Sequence, residues 1–237
     1  MMAQFSHINS DSHALLKIEK TYNIEKIRTL SAMMVYPSEI AEVQKEYAIL
    51  FRKHPETGRL FPNILLGFAD KENLFLDEKG DWQASYVPLS IQKGPFLITN
   101  NPDVDKKNDV IAIDLDDPRV NDKIGEAIFD DKKQATPYLD KINQMLAQMH
   151  LDSQRMSTMV DTFTDLALIE PVTLNIQLNN GELINFGGAY TIAQEKIDAL
   201  TGKQLKSLNK AGYLSIAIYI ADSLSNITKL IDKKNNI

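Results

Sequence analysis

Tyr47-Ala48-Ile49-Leu50-Phe51, Ile64-Leu65-Leu66-Gly67-Phe68, Leu74-Phe75-Leu76 and Trp82-Gln83-Ala84-Ser85-Tyr86-Val87 are four apolar runs of strand length within the stretch Tyr47 to Ile98. They are cut by turn chemistry at His54-Pro55-Glu56-Thr57-Gly58, Ala69-Asp70-Lys71-Glu72 and Asp77-Glu78-Lys79-Gly80-Asp81. Gly58 and Gly80 can take the positive φ that a short reversal needs, and the flanking runs are rich in aromatic and branched residues. The punctuation therefore predicts an antiparallel meander, which carries the chain's single tryptophan.

Outward from this stretch, residues 1–16 are polar and aperiodic and read as a flexible N-terminal arm. Leu16, Ile18, Tyr22, Ile24 and Ile27 suggest one or two strands, and Tyr36-Pro37-Ser38 opens a short helix over Glu39–Lys45 with Ser38 as its cap. Downstream, Val110-Ile111-Ala112-Ile113 is a short strand in a turn-rich acidic segment. Thr136-Pro137 starts a helix, a capping hydroxyl followed by proline at the first helical position. From there Tyr138, Ile142, Met145, Met149, Met156, Met159, Phe163 and Leu166 keep helical spacing, with Asp152 at the one interrupted position. This predicts an amphipathic helix of about 30 residues, ended by Pro171.

A hairpin follows over Val172–Leu178 and Glu182–Phe186 around Asn179-Asn180-Gly181. Gly187-Gly188 reads as a bulge before a strand at Ala189–Ile192. Helices are expected at Gln194–Leu200, Lys203–Lys210 and from Tyr213 to about Ile231, with Gly202 and Gly212 as C-caps. The fold class is thus α+β: an antiparallel meander in the N-terminal half packed against a long helix, with a second hairpin and C-terminal helices. No repeat or linker divides residues 17–237, which read as a single domain.

The 237 residues are 43% hydrophobic and 24% charged, an ordinary globular composition. A net charge of −6 and the lack of a basic stripe speak against nucleic acid as a partner. The absence of cysteine removes disulfides, thiolate metal sites and cysteine nucleophiles. Met1–Leu16 lacks the basic and apolar regions of a signal peptide, so the expected location is cytoplasmic. The longest apolar stretch, Tyr213–Ala221, is about half of the roughly 20 residues of a membrane span, so no span is expected.

The chemistry-bearing residues divide into two groups. Phe75, Trp82 and Tyr86, with Asn73 beside them, could line a saccharide or peptide platform, because Trp and Tyr offer a flat apolar face with a hydrogen-bonding edge. The bland reading, which the residue types favour, makes them the meander's core, with Asn73 capping the Asp70–Glu72 turn. Asp103, Asp105, Asp109, Asp114, Asp116, Asp117 and Asp122 crowd one segment, and Asp114 and Asp116 alternate onto one face of a strand end. They could hold a divalent cation or simply solvate a loop, and their spacing fits no EF-hand. His150-Leu151-Asp152 has the H-x-D spacing of non-haem iron sites, but two residues apart on a helix they diverge by about 200°. No nucleophile elbow, Walker loop or dinucleotide glycine motif is present, and no cofactor is expected.

The ordered runs resemble the bacterial SapC family. A "yPIvF" strand is Tyr47-Ala48-Ile49-Leu50-Phe51 here, "LLG" is Leu65-Leu66-Gly67, and "eNlF-d-dG-W-a-YvP" is Glu72-Asn73-Leu74-Phe75-Leu76-Asp77 through Gly80 to Pro88, closed by Pro95-Phe96. The family's "G-x-x-LF" is met by Gly125-Glu126-Ala127-Ile128-Phe129, and its C-terminal pattern by Leu168-Ile169-Glu170-Pro171, Asn180-Gly181, Gly187-Gly188 and Lys210-Ala211-Gly212. The basic pair of the family before "PF" is Gln92-Lys93 here.

The resemblance implies a non-catalytic binding or assembly protein, accessory to TonB-dependent nutrient uptake or to oxygenase- or halogenase-like enzymes. By the family's name it also implies a surface location and a third reading, a surface-layer (S-layer) subunit. The alternative from the residues is a metal- or carboxylate-dependent enzyme built from Asp103–Asp117 with His150 or Asp152. A protein partner, a saccharide or peptide ligand, and a homodimer through the long helix remain open.

Overall fold

The computed structural model describes residues 4–100 and 109–236. In chain order the elements are β1 (Phe5–His7), β2 (Lys17–Ile18), α1 (Ile24–Arg28), β3 (Ala32–Met34), a 3-10 turn at Pro37–Glu39, α2 (Ile40–Val43), β4 (Ile49–Lys53) and β5 (Leu60–Leu65). Then come α3 (Leu89–Gln92), β6 (Phe96–Asn100), β7 (Asp109–Asp114), β8 (Val120–Asn121), β9 (Glu126–Ala127) and α4 (Pro137–Asp165). The chain closes with β10 (Ile169–Gln177), β11 (Leu183–Ile192), α5 (Gln194–Asp198), α6 (Gly202–Ala211), α7 (Leu214–Ser223), a 3-10 turn at Leu224–Asn226 and α8 (Ile227–Asn235). The architecture is α+β, with every strand pairing antiparallel.

These elements form two compact units, residues 1–27 with 89–151 and residues 28–88 with 152–237. The boundary falls inside α4. In the first unit β1-β7-β6 make one small sheet and β8-β2-β9 another. The stretch expected as an arm supplies β1, whose Phe5 lies opposite Asp114 and His7 opposite Ala112. Phe96, Ile113, Ile128 and Ile142 form the unit's core at 2% exposure or less. Gly125 is required there: at φ +109, an added Cβ would stand 2.3 Å from the Ile18 carbonyl oxygen.

In the second unit a five-stranded sheet runs β10-β11-β4-β5-β3. Only two of the four expected meander runs are strands in it, β4 and β5. Leu76 and Trp82 form an isolated bridge, and the rest of residues 66–88 is turn and coil, its backbone groups satisfied by side chains such as Glu72, Asn73 and Glu46 and by scattered backbone bonds such as Gln83 N–H to the Phe75 carbonyl. The second hairpin is not separate: β11 joins β4 through the pair Tyr190–Phe51, so both hairpins share one sheet. Arg52 and Lys53 of β4 lie over the rings of Phe186 and Tyr190 of β11, at 5.2 and 5.1 Å.

Local chemistry explains most boundaries. The Thr136 hydroxyl accepts from the Leu139 N–H at 3.4 Å and Pro137 opens α4, as the sequence predicts. The helix stops at Asp165, well before Pro171. Ala167 turns left-handed at φ +53, its N–H donates to the Thr164 carbonyl, and the Leu168 N–H donates to the Phe163 carbonyl, which is a Schellman closure. Pro171 lies in β10 instead, at the edge of the sheet, where a missing donor costs no ladder bond.

Gly187-Gly188 is a bulge within a continuous β11, with the register shift opposite Val172 and Leu174. Ser38 is not a cap, since it lies inside the 3-10 turn and Glu39 Oε1 accepts from the Tyr36 N–H at 3.0 Å instead. Gly202 is the first residue of α6, capped by a reciprocal Thr201–Gln204 box, whereas Gly212 does end α6 at φ +73.

The run Leu214–Asn235 is long and apolar enough, by length and composition, to cross a membrane. Here it breaks at the 3-10 turn, and Ala217, Ile220, Ser223, Asn226, Ile227 and Leu230 are buried. That break is anchored to the start of β4. Ser223 Oγ accepts from the Ile49 N–H at 3.0 Å, and Asn226 Nδ2 donates to the carbonyls of Gln44 and Tyr47 at 2.7 and 3.1 Å.

Candidate functional site

All four candidates of the aromatic group lie in the second unit, and Phe75, Trp82 and Tyr86 meet around a residue not among the candidates, Tyr47. Tyr47 is fully buried, and its ring centroid is 4.6 Å from that of Phe75, itself 3% exposed. The part-exposed Trp82 stacks on Phe75 at 6.0 Å with 18° between planes. Its Nε1–H donates to the Tyr47 hydroxyl at 2.7 Å, and that hydroxyl donates to the Tyr86 carbonyl. Tyr47 lies in the turn just before β4, its N–H donating to the Val43 carbonyl and its carbonyl accepting from Asn226 Nδ2, and the loop from Leu66 to Pro88 wraps around it.

The loop can close on itself because Gly67 carries no side chain. An ideal Cβ at Gly67 would stand 2.3 Å from the Glu72 carbonyl oxygen. Glu72 then accepts from the N–H groups of Phe68 and Ala69 and pairs with Lys234 Nζ at 2.5 Å. Burial pushes the Glu72 carboxyl up, but Lys234 and the two N–H donors together hold it below the usual range. Asn73 Oδ1 accepts from the Phe75 N–H at 2.9 Å, so Asn73 shapes the turn that presents the ring.

Two glutamates complete the cluster. Glu46 accepts from the N–H groups of Ser85 and Tyr86, and the Tyr86 hydroxyl donates to Glu39 Oε2 at 3.1 Å. Burial, then the charge and hydrogen bond of buried Glu39, hold the Tyr86 phenol well above its ordinary value, so it stays protonated. Lys233 Nζ lies 4.9 Å over the Phe75 ring and donates to the Gln83 carbonyl; burial lowers its pKa, against the charge of Glu46. The indole, both phenols and both glutamates are thus engaged within the protein, and the cluster offers a fixed aromatic shape more than a reactive group.

The acidic candidates lie in the first unit. Asp114 Oδ1 accepts from the Asp116 N–H at 3.2 Å, and Asp116 Oδ2 from the Gln4 N–H at 3.0 Å, so each carboxylate caps backbone. Asp103 and Asp105 lie outside the described residues. Among those described, no group of three or more His, Cys, Asp or Glu residues is placed to hold a metal ion. Among the described acidic side chains, Asp117 has a buried partner. Arg119 Nε and Nη2 bind its two oxygens at 2.8 Å each, with Asn23 Nδ2 at 3.4 Å. Burial raises the Asp117 pKa, but Arg119 and Asn23 outweigh it and hold the carboxyl low.

Lys93, which stands at the family's basic pair, is held by its neighbours in the fold. Its Nζ donates to the Phe96 carbonyl at 2.9 Å, and burial first, then the charges of Lys26 and Arg119, lower its pKa. His150 lines an open groove of about 360 Å³ with Ile98, Ile111, Asn143, Leu146 and Leu151, and Asp152 is fully buried. Both lie on α4, so the H-x-D pair points to different sides of a helix, as its spacing predicts.

No local signal could have exposed Tyr47, Glu39 or Glu46, whose partners stand 35 to 47 residues away. Comparison with known proteins gives one family: residues 8–230 match the model described as SapC. No curated protein and no solved structure matches the chain.

Proposed function

We propose, since this chain belongs to the SapC family, that it is a non-catalytic binding or assembly protein whose recognition surface is the aromatic loop around Trp82. The observation that carries the reading is the state of that loop. Trp82 is partly exposed, its ring is stacked on buried Phe75, and its N–H is already held by Tyr47. A ring fixed in this way loses little conformational freedom on binding, which favours recognition of a protein or saccharide surface. Proton transfer is disfavoured at the same place, because the Tyr86 phenol holds its proton and both glutamates accept hydrogen bonds from neighbours.

The accessory setting implied by the family resemblance, beside TonB-dependent receptors or oxygenase- and halogenase-like enzymes, is where such a partner is to be sought. The test is capture from native cells at natural expression, with Trp82→Ala run in parallel and its folding checked by circular dichroism. One stoichiometric partner, lost in the folded variant, is the expected result. Retention of that partner by Trp82→Ala overturns the surface, and stoichiometric iron, manganese or zinc in protein purified without chelator overturns the non-catalytic reading.

A further inference from the structure

The five-stranded sheet ends on β10, a strand of nine residues with β11 on one side only. Among the described residues no hydrogen bond reaches its outer edge, and Pro171, Thr173, Asn175 and Gln177 are exposed. Exposed edges of this length are usually blunted by charge, proline or a bulge. Here the guards are all at one end. Glu170, Pro171 and the shift between Val172 and Leu174 occupy the first half, while Leu174–Gln177 carries neither charge nor proline.

We infer that β10 pairs antiparallel with β10 of a second copy of this chain, about a two-fold axis at Asn175. In that register Leu174 faces Ile176 of the other copy, Thr173 faces Gln177 and Val172 faces Leu178, so no charge opposes a like charge. Pro171 falls opposite Asn179, beyond the ladder, where its missing donor does no harm. Within one copy Asn185 Nδ2 already donates to Asn175 Oδ1 at 2.8 Å. The two-fold places the second Asn175 beside the first, extending this pair into a row of four amides across a ten-stranded sheet. A second copy is favoured over a foreign strand because the uncharged polar row Thr173, Asn175, Gln177 is complementary to its own reverse.

The test is sedimentation of the full chain from micromolar concentrations to about 1 mM, the weak end of measurable association. A dimer is expected. Asn175→Lys sets two like charges directly opposite and should raise its Kd at least about tenfold, or about 1.4 kcal/mol. It should stay folded by circular dichroism at monomeric concentration, because the Asn185 hydrogen bond that it loses is solvent-exposed. The chain has no cysteine. Asn175→Cys therefore introduces a single thiol directly opposite its symmetry mate, with Cβ atoms about 4.5–5.5 Å apart, so that a shift of about 1 Å brings them to the roughly 3.5–4.5 Å of a disulfide. It should crosslink at least about tenfold faster than Asp161→Cys, an exposed control on α4. A chain that stays monomeric throughout, a dimer that Asn175→Lys leaves intact, or an Asn175→Cys variant no faster to crosslink than the control overturns the inference.

Discussion

The loop around Trp82 and the turn from Asp114 to Arg119 are both rich in chemistry, and they differ in which of their bonds are local. In the turn the closest charged and capping pairs are between near neighbours: Asp117 binds Arg119 two residues on, and Asp114 caps the N–H of Asp116, while Asn23 and the Gln4 N–H add distant contacts to Asp117 and Asp116. In the loop they are distant: Trp82 reaches Tyr47, Tyr86 reaches Glu39, and Lys234 reaches Glu72. The locally closed pairs shape the turn itself, and single long-range bonds from Gln4, Glu19 and Asn23 attach it to the N-terminal segment. Polar groups closed over long separations tie a surface to the core, which is what a rigid recognition surface needs.

Substitutions ranked by expected effect can break or sharpen this contrast. Phe75→Ala removes the ring at the centre of the loop and should cost about 4 kcal/mol in urea unfolding. A loss below about 1 kcal/mol would mean that the loop is not tied to the core. Arg119→Ala strands the Asp117 carboxylate in a buried site, where the side chains of the pair are 4% and 10% exposed, and should cost about 3 kcal/mol. A near-neutral outcome would show that water reaches the turn and that its closure is loose.

Tyr47→Phe leaves the ring in place but strips the hydroxyl from both the Trp82 indole and the Tyr86 carbonyl. About 1–2 kcal/mol is expected, with a shift in Trp82 fluorescence as the second readout. Lys234→Ala should cost at most about 1 kcal/mol, since its pair with Glu72 is partly solvated. A larger loss would raise Glu72 from a loop brace to a buried charge.

Acid sharpens the comparison without a substitution. Asp117 and Glu72 both have folded pKa values below their ordinary 3.8 and 4.5. A depressed carboxyl stabilises fully above its unfolded pKa and loses that contribution as pH falls through the lower folded value. The stability gap between the natural chain and Asp117→Asn should therefore be constant above about pH 5 and shrink below pH 3.8, as urea titrations at stepped pH can measure. A gap that does not change with pH would mean that Asp117 is not ionised in its pair.

The sequence determined much of what is decided within a few residues, the caps at Ser38 and Gly202 excepted. The start of α4 follows from Thr136-Pro137, the second hairpin from Asn180-Gly181, the bulge from Gly187-Gly188 and the end of α6 from Gly212, because capping and positive φ are local demands. Family membership was also legible, since the ordered runs from Tyr47 to Phe96 carry it. Tertiary structure alone decided that Leu74–Leu76 and Trp82–Val87 are not strands of the sheet. An apolar run takes whichever backbone its distant partners allow, and Tyr47, Glu46 and Glu39 hold this loop away from any ladder. It likewise decided that both hairpins share one sheet and that β10 is its edge, because which strands become neighbours depends on long-range closure that residue spacing does not encode.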